Sequence, residues 1–412
     1  MKIAVCVNGF PRISEKFILY QIKDLLEMDH DVHIYAFIRS RYSKVHPEVA
    51  EYDLLSKTTY LDEKLPSRRH QRIFKALGVI GRFIFTHPRE IFRCLSDKDA
   101  PAFIDKIKNL CVLAKFLEKN IEVVHCHFGT VANQLIFLKK IIPSIRFVTT
   151  FHLYDLRIGL EDGGQIYREL FQKADTIISI CSYNREHLKN FGCPQEKLVD
   201  HHNGIDTKIF RPGPSRNHPG HYVITTVARL VEQKNIFFAL DVMKALKEQT
   251  KHRLKYHLIG DGDLKNEIAK RIKELDIDDI VVMFGDLSSD EVIQQLQESD
   301  IFFLPSQHEA FPTVVLEAQA VGIPVVATDT GGTRETFLEG KTGYLISQND
   351  VPKAVSRINY LLENDIIREQ FGKMGRSFAE ENFDISKLNR KLEQLYQIPL
   401  KTVVSHNRKA KK

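Results

Sequence analysis

Several features that would assign a protein to a familiar class are missing from this 412-residue sequence. Its six cysteines are scattered and form no CxxC pair, which indicates a reduced, cytosolic chain without a zinc site or a disulfide framework. No apolar run approaches the roughly 18 residues that a membrane-spanning helix needs. The apolar N-terminus is short and soon meets charged residues, so it is typical of a first strand and not of a signal peptide.

Positive charge is concentrated in two places, although the net charge of the whole chain is only +6. Residues 64–93 hold eight Lys or Arg and one Glu, and residues 401–412 add five positive charges. No nucleic-acid-binding motif accompanies them, which disfavours DNA or RNA as a partner. In the first block Arg68, Arg69 and Arg72 alternate with apolar residues. This pattern is typical either of a segment that lies on an anionic membrane surface or of the solvated face of an ordinary amphipathic helix.

The length predicts two domains, and the hydrophobic pattern repeats in two halves. Short apolar runs rich in Val, Ile and Phe alternate with helical patterns, which is typical of buried parallel strands joined by helices. The first helical pattern covers residues 14–28, with Ser14 as its N-cap. The predicted strands are 2–7, 31–38, 122–126, 145–151, 175–180 and 197–200 in the first half, and 222–228, 254–259, 280–284, 300–304, 323–328 and 342–346 in the second.

Residues 211–220 contain three prolines and two glycines, which marks a linker between the halves. We therefore predict an α/β protein with two doubly wound, Rossmann-like domains that face each other across a cleft. The first domain covers residues 1–210 and the second covers 221–382. A helix at about 383–398 is expected to return to the first domain, and residues 399–412 form a basic tail.

Two carboxylates, Glu309 and Glu317, lie eight residues apart after the apolar run 301–305. Ligands of open α/β sheets bind beyond the carboxyl ends of the strands, where this pair is expected. Pro312 suits the first turn of a helix and disfavours helical geometry in the residue before it. Glu309 is therefore expected on a loop and Glu317 on the following helix, where the two can bind different parts of one polar ligand.

Arg229 and Lys234 follow another predicted strand of the same domain. Two cations at a strand end suit a diphosphate, since Arg offers a bidentate fork and Lys a point charge. Exposed loop charges are the alternative for this pair taken alone. The turn at Gly260 and the pair Gly331-Gly332 are open to two interpretations each, a nucleotide or phosphate contact and simple backbone geometry.

Three histidines lie at or just past the ends of predicted strands of the first domain. His125 is expected at the edge of the core, whereas a polar role in the cleft is predicted for His152 and Asp155. His127 is left open between these two interpretations. The i,i+4 spacing of a helical zinc motif is absent, and no metal site is predicted.

Together these residues resemble the retaining glycosyltransferases of family 4, which have the GT-B fold. The most specific part is the Glu309 and Glu317 pair, followed by Gly322-Ile-Pro-Val-Val-Ala-Thr and by the segment from Gly331 to Gly343. The segment from Ala228 to Lys234 adds to it. The opening from Phe10 to Phe17 resembles a subgroup that builds bacterial surface polysaccharides.

The resemblance implies roles for individual residues. Arg229 and Lys234 would bind the donor diphosphate, and Glu309 would face the hydroxyls of the donor sugar. Glu317 would bind the ribose, and His152 would lie near the reacting centre. Two residues depart from the family pattern, because Ala310 and Asn235 each stand where glycine is usual. The remaining donor-side residues would be Ala310, Phe311, Pro312, Thr313 and Gly260, and the acceptor-side residues would be Ser14, Glu15 and Asp155.

The predicted function is a metal-independent hexosyltransferase reaction with retention at the anomeric carbon. The donor is a nucleotide diphosphate sugar of the UDP or GDP type, the acceptor is a glycan or a lipid-linked intermediate, and no other cofactor is expected. The alternatives are a nucleotide-sugar epimerase of similar fold and a non-catalytic partner that binds sugar nucleotides. The protein is expected in the cytoplasm, with the inner face of the cell membrane as a second expected location.

Overall fold

The apolar runs of the first half form a seven-stranded sheet in the order β3-β2-β1-β4-β5-β6-β7. In the computed structural model, which describes residues 1–12, 15–40, 46–61, 68–100, 102–213 and 220–397, β1 pairs in parallel with β2 and β4. All residues of β4 and β5 are buried, as expected for central strands covered on both faces. The strands are β1 Lys2–Phe10, β2 Asp31–Arg39, β3 Thr58–Tyr60, β4 Val123–His127, β5 Arg146–Phe151, β6 Thr176–Ser179 and β7 Leu198–Asp200.

The runs of the second half form a six-stranded sheet in the order β10-β9-β8-β11-β12-β13. Its central strand β8 pairs in parallel with β9 on one side and with β11 on the other. β11 and β12 are fully buried. The strands are β8 Tyr222–Val227, β9 Leu254–Ile259, β10 Val281–Gly285, β11 Ile301–Leu304, β12 Val325–Thr328 and β13 Gly343–Ile346.

Helices connect the strands and cover both faces of each sheet. Alternate residues of β1 point to opposite faces, so Ala4 and Cys6 join one apolar cluster while Ile3 and Val5 join another. The helices of the first half are α1 Lys16–Glu27, α2 Glu48–Glu51, α3 Arg69–Phe83, α4 Pro88–Ser96, α5 Phe103–Lys119, α6 Gly129–Leu135, α7 Phe137–Ile141, α8 Leu153–Asp162, α9 Arg168–Lys173 and α10 Ser182–Asn190. Those that follow are α11 Ile236–Gln249, α12 Lys265–Glu274, α13 Ser289–Gln297, α14 Thr313–Val321, α15 Val351–Glu363, α16 Asp365–Asn382 and α17 Ile385–Gln397.

The chain divides into two compact units, one around each sheet. The first contains Met1–Ile178, Leu188–Val199 and the chain from Asn389, and the second contains Ser179–His187 and Asp200–Leu388. The second unit thus begins before the predicted boundary at residue 210. Within the first unit, the amide of Asn389 donates to Asp24 at 2.9 Å and the hydroxyl of Tyr396 lies 2.6 Å from His125 Nδ1, so these residues of α17 are bonded to the unit that holds β1.

The predicted α/β class, with two doubly wound, Rossmann-like sheets, is confirmed. Twelve of the strands were predicted within a few residues of their ends, but the short strand β3 and the boundaries of α3 to α5 were not predicted. All six cysteines are free, and five of them are buried. The predicted N-cap Ser14, the centre of the 211–220 linker and the basic tail lie outside the described residues.

Candidate functional site

The strongest candidate site lies where β8 and β11 of the second sheet adjoin. From β8 the chain crosses to β9 on one side, whereas from β11 it crosses to β12 on the other. Such a reversal of strand order opens a crevice at the carboxyl ends of the strands, where open α/β sheets bind ligands. Residues 228–234 leave β8 at this point and residues 305–312 leave β11. The fold therefore brings the predicted cations and Glu309 to the same edge of the sheet.

An ion pair joins the two loops. Lys234 Nζ lies 2.5 Å from Glu309 Oε1, and the two side chains are only 18% and 9% exposed. A backbone hydrogen bond supports this pairing, because the N–H of Gln307 donates to the carbonyl of Gln233 at 2.9 Å. The predicted proximity of a cation and Glu309 is thus present in the structure. Both groups are partly shielded from water, where an electrostatic contact with a ligand is stronger than at an open surface.

Arg229 lies in the same loop as Lys234 but is exposed. It makes no side-chain hydrogen bond or ion pair with any residue that the structure describes. Its neighbour Leu230 is fixed instead, since the Leu230 N–H donates to the carbonyl of Asp261 at 2.9 Å. A charge on a fixed loop with no partner in the described chain is available to an anionic ligand.

Gly260 supports this loop through its backbone. It has a φ of +128°, and a Cβ there would lie 2.0 Å from the carbonyl oxygen of Ala228. No other residue type fits so close an approach. Of the two interpretations of the Gly260 turn, the structure thus provides direct support for backbone geometry.

The backbone of Glu309 is held by the glycine pair 331–332. A Cβ on Gly331, which has a φ of +52°, would lie only 1.7 Å from the carbonyl oxygen of Glu309. The N–H of Gly332 donates to the carbonyl of Ala310 at 2.8 Å. The residues after them form a 3₁₀ helix of three residues, Thr333–Glu335, which is too short for the phosphate-binding helix terminus that was one interpretation of this pair. Their evident role is to fix the loop that carries Glu309.

The remaining donor-side residues surround the start of α14. Ala310 and Phe311 are buried, Pro312 precedes the helix and Thr313 is its first residue. Phe311 stacks on His202 with the ring centroids 5.0 Å apart, which holds this loop from behind. Glu317 lies on α14 as predicted and is 7% exposed. The Glu317 carboxylate lies one turn into α14, which begins at the crevice, so the helix backbone fixes its position.

The two departures from the family pattern have a structural basis. Asn235 adopts φ +49° and ψ +46°, the left-handed conformation in which glycine is usual and asparagine is tolerated. Its side-chain amide also donates to Asn349 at 3.0 Å. Ala310 is absent from the residues with positive φ, so alanine is compatible with the backbone there. Neither substitution disturbs the fold of the loops.

In the first unit the histidines form a buried cluster. His125 is bonded within the core, with Nε2 lying 2.8 Å from Thr150 Oγ1, which agrees with the expectation of a core-edge residue. His127 Nδ1 lies 3.4 Å from His152 Nε2, and the ring of His152 contacts Phe17 and Phe128. Burial lowers the pKa of His152 to about 3, so its ring is neutral near pH 7.

Asp155 lies in the interior of the first unit, and its assignment to the acceptor side stays a prediction. Its side chain is fully buried and accepts hydrogen bonds from the backbone N–H of His152 at 2.9 Å and of Thr130 at 3.3 Å. Burial raises the pKa of Asp155 to about 7, although these backbone N–H groups oppose the shift. Asp155 thus fixes the starts of two helices, α6 and α8, and positions His152 only indirectly.

Of the two acceptor-side residues before α1, Ser14 lies outside the described residues. Glu15 forms an ion pair with Arg12 at 3.3 Å. Burial raises the pKa of the Glu15 carboxyl, and the charge of Arg12 opposes that shift. Glu15 lies at the carboxyl end of β1, which is the strand-order reversal of the first sheet.

Some residues that shape the donor-side loop were not predicted. Cys181 Sγ lies 3.1 Å from the carbonyl oxygen of Ala310, and Glu335 accepts hydrogen bonds from the backbone and the hydroxyl of Ser182. These contacts join segments more than 100 residues apart in the sequence. No local pattern indicates them. Among the described residues no group of three or more His, Cys, Asp or Glu is arranged to bind a metal ion.

Comparison with protein families matches both halves of the chain. Residues 14–209 match the model "Glycosyltransferase Family 4", and residues 210–378 match "Glycosyl transferases group 1". The chain belongs to glycosyltransferase family 4. It is 28% identical to WcaL of Escherichia coli (strain K12), a glycosyltransferase assigned to colanic acid biosynthesis, over 96% of this chain and 100% of that protein. It is 29% identical to the amylovoran biosynthesis glycosyltransferase AmsK of Erwinia amylovora, over 85% of this chain and 88% of that protein.

Solved structures of glycosyltransferases share the fold. Anabaena HepE in complex with UDP superposes with a TM-score of 0.73 and 17% identity, over 96% of this chain and 100% of that chain. This likeness confirms the predicted GT-B fold class, whereas the two family models confirm the predicted family. Among the described helices, none combines the length and the apolar character that crossing a membrane requires.

Proposed function

We propose that this glycosyltransferase moves a hexose from a nucleotide diphosphate sugar of the UDP or GDP type to an acceptor hydroxyl, with retention at the anomeric carbon. The acceptor is a growing glycan or a lipid-linked intermediate of polysaccharide assembly. The observation that carries the proposal is the Lys234–Glu309 ion pair at the strand-order reversal of the second sheet. Arg229, whose side chain pairs with none of the described residues, lies in the same loop as Lys234.

The reaction requires stabilisation of a leaving diphosphate. As the glycosidic bond breaks, negative charge grows on the phosphate oxygen and positive charge grows on the sugar ring. Fixed cations at the place where the negative charge develops lower the barrier, because they need no reorganisation during the reaction. Arg229 and Lys234 are assigned this role. The proposal includes no metal ion, since these two side chains supply the positive charge.

Two carboxylates divide the recognition of the donor. Glu309, with the backbone N–H groups of Ala310, Phe311 and Thr313, is assigned to the sugar hydroxyls, whereas Glu317 is assigned to the ribose. Glu309 is already bonded to the cation that would bind the diphosphate, which couples sugar recognition to leaving-group binding. Glu317, one turn into α14, is set back from that pair along the same segment.

Retention requires that the acceptor attack on the face from which the diphosphate departs. The resemblance to retaining members of the family implies that the leaving phosphate itself accepts the acceptor's proton. No second catalytic carboxylate is then needed, in contrast to retaining glycosidases. His152 is proposed to lie near the reacting centre as a neutral ring, consistent with its low pKa, and Glu15 remains assigned to the acceptor side.

The relatives support the chemical class of both substrates. HepE has been crystallised with UDP and with UDP-glucose, and WcaL and AmsK are named for polysaccharide biosynthesis. The choice of base, sugar and acceptor is a matter of specificity within that class. Loop shape and a few hydrogen bonds determine such specificity.

A thermal-shift panel of nucleotide sugars tests the proposal. A donor present at 100 times its dissociation constant should stabilise the folded protein by about 2.7 kcal/mol, and the matching nucleoside monophosphate should stabilise it less. An NMR time course with the best donor should then show transfer only when an acceptor is added. Conversion of the donor alone into an epimer would contradict the proposal, as would the absence of stabilisation by every UDP and GDP sugar.

A further inference from the structure

A surface of the first unit has no role in the proposed reaction. It is formed by α3 and the turn after it, and it exposes large apolar side chains: Phe74 is 70% exposed, Leu77 56% and Phe85 92%. Other faces of α3 are packed, since Ala76 and Phe83 belong to the core cluster on one side of the first sheet. A helix with apolar residues on both its packed and its exposed faces needs a second contact to cover the exposed one.

The exposed apolar residues share one side of α3. Phe74 and Leu77 are three residues apart, which brings them onto neighbouring positions of the helix surface. Gly78 and Gly81 lie on the same face of α3, and a Cβ on either residue would have no atom within 4 Å. Phe85 follows directly after the helix. Among the described residues, therefore, the side of α3 that Phe74 marks is not covered.

Positive charge surrounds this apolar face. Residues 68–93 contain seven Lys or Arg and one Glu, a net charge of +6. Arg68, Arg69 and Arg89 make no side-chain hydrogen bond or ion pair with any described residue, whereas Arg82 pairs with Glu118 at 2.8 Å. The neighbouring helix α4 contacts α3 and exposes a further apolar side chain, Phe92, which is 72% exposed.

We propose that α3 and the turn to Phe85 dock on an anionic lipid bilayer. Phe74, Leu77 and Phe85 would enter the boundary between headgroups and acyl chains, while Arg68, Arg69 and Arg89 bind the anionic headgroups. Aromatic and aliphatic side chains beside unpaired arginines match both layers of such a surface. A protein partner with an acidic rim would satisfy the charge as well, but the combination of protruding phenylalanines and several unpaired arginines favours the bilayer. The inference does not depend on the donor site.

Vesicle sedimentation with the full chain tests the proposal. The protein should bind phosphatidylcholine vesicles that contain about one-third phosphatidylglycerol, bind pure phosphatidylcholine much more weakly, and dissociate as salt is raised. The triple variant Arg68→Ser, Arg69→Ser and Arg89→Ser should bind about 100-fold more weakly, since each arginine near an anionic surface contributes roughly a fivefold factor. Phe74→Ser with Leu77→Ser should weaken binding at least tenfold even at low salt.

Matched controls are available in the second unit. Ile366 is 73% exposed there, so Ile366→Ser removes an exposed apolar side chain away from α3. The side chains of Lys270 and Lys373 are each 80% exposed, so the double variant Lys270→Ser, Lys373→Ser removes exposed positive charge away from α3. These controls should bind vesicles as the unchanged protein does. Melting temperatures verify that every variant is folded.

Three outcomes would overturn the proposal: no binding to anionic vesicles, equal weakening by the control variants, or a dimer in light scattering that Phe74→Ser with Leu77→Ser dissociates. The last result would assign the surface to a second copy of the chain. Donor binding measured in parallel separates this proposal from the proposed reaction, because the surface variants should bind the nucleotide sugar unchanged.

Discussion

The two sheets have the same strand order at their centres, but the loops at their order reversals differ. In the second sheet, Lys234 and Glu309 belong to loops after different strands and form an ion pair 75 residues apart in sequence. In the first sheet, Arg12 and Glu15 form an ion pair within a single loop, three residues apart. The neighbouring histidines are buried, and His152 is neutral because burial lowers its pKa to about 3.

This difference shows how one topology supports two kinds of site. A local ion pair can form at the start of many helices and contributes little by itself. A pair that joins two loops, with a backbone bond and a glycine contact behind it, fixes the relative position of the charges. Preorganised charge of this kind is what stabilisation of a leaving group requires. In the proposed reaction, the electrostatic part of catalysis therefore belongs to the second unit.

The largest expected effect follows from removal of the cation of that pair. Lys234→Ala should lower turnover roughly 10²–10³-fold, the usual scale for one electrostatic donor in an active site. The matched control is Lys265→Ala, which breaks the exposed pair with Asp261 at 2.7 Å in the same unit and should retain activity. Turnover at saturating donor is the measurement. A near-normal rate for Lys234→Ala would remove the diphosphate assignment.

The second effect tests the glycine contact behind Glu309. Gly331→Ala should reduce kcat/KM by up to about 10²-fold, because a displacement near 1 Å of a catalytic loop can cost that much. Gly340→Ala is the control, since it has a similar φ of +70° but nothing within 4 Å of the added Cβ. Both variants bear the cost of a left-handed alanine, but only Gly331→Ala adds a Cβ 1.7 Å from the carbonyl oxygen of Glu309, so its melting temperature should fall further. Equal activities in the two variants would mean that the Gly331 contact does not position Glu309.

The third effect belongs to the first unit and depends on pH. The folded pKa of His152 is about 3 and the unfolded value is about 6.5, so below pH 6.5 only the unfolded chain gains this proton. This group therefore makes folding less stable as pH falls from 6.5 toward 3. Between pH 7 and pH 5 the contribution amounts to about 2 kcal/mol.

Urea unfolding of the wild type and of His152→Gln at the two pH values measures it. The difference in free energy of unfolding between the wild type and His152→Gln should be about 2 kcal/mol smaller at pH 5 than at pH 7. A difference between the two proteins that is the same at both pH values would show that the ring is not buried in its neutral form.

The smallest effect separates the two carboxylates. Glu317→Ala should raise the dissociation constant of the free nucleotide about tenfold, since a hydrogen bond to a charged group contributes about 1.5 kcal/mol or more. Glu309→Ala should change nucleotide affinity less and lower the transfer rate more. Calorimetry with the nucleotide, together with transfer rates, gives both values. Unchanged nucleotide binding in Glu317→Ala would refute its ribose assignment.

Much of the fold follows from short-range pattern. The buried runs that became β4, β5, β11 and β12 are rich in β-branched and aromatic residues, and such runs alternating with helices indicate parallel sheets. β3 was missed because three residues, Thr58–Tyr60, are too few to show a period. The exposure of Phe74 on α3 and of Phe85 after it could not be inferred either, since the sequence pattern alone does not show which face of the helix is packed.

The site was predictable where strand ends carry charge. Arg229, Lys234 and Glu309 follow strands that the pattern located, so their common edge could be inferred. The burial of Asp155 could not be inferred, because a position past a strand end does not distinguish an exposed carboxylate from a buried one that caps a helix. The contacts of Cys181 with Ala310 and of Gly331 with Glu309 depend on tertiary packing, which leaves no local signal.

The most direct test of the central claim is calorimetric titration of the wild type and of the double variant Arg229→Ala, Lys234→Ala with UDP, GDP and the corresponding nucleosides. The wild type should bind one of the two diphosphates, and the double variant should bind it at least about 100-fold more weakly, as loss of two charged contacts implies. Its affinity for the nucleoside should be unchanged. A double variant that binds the diphosphate as tightly as the wild type would contradict the account.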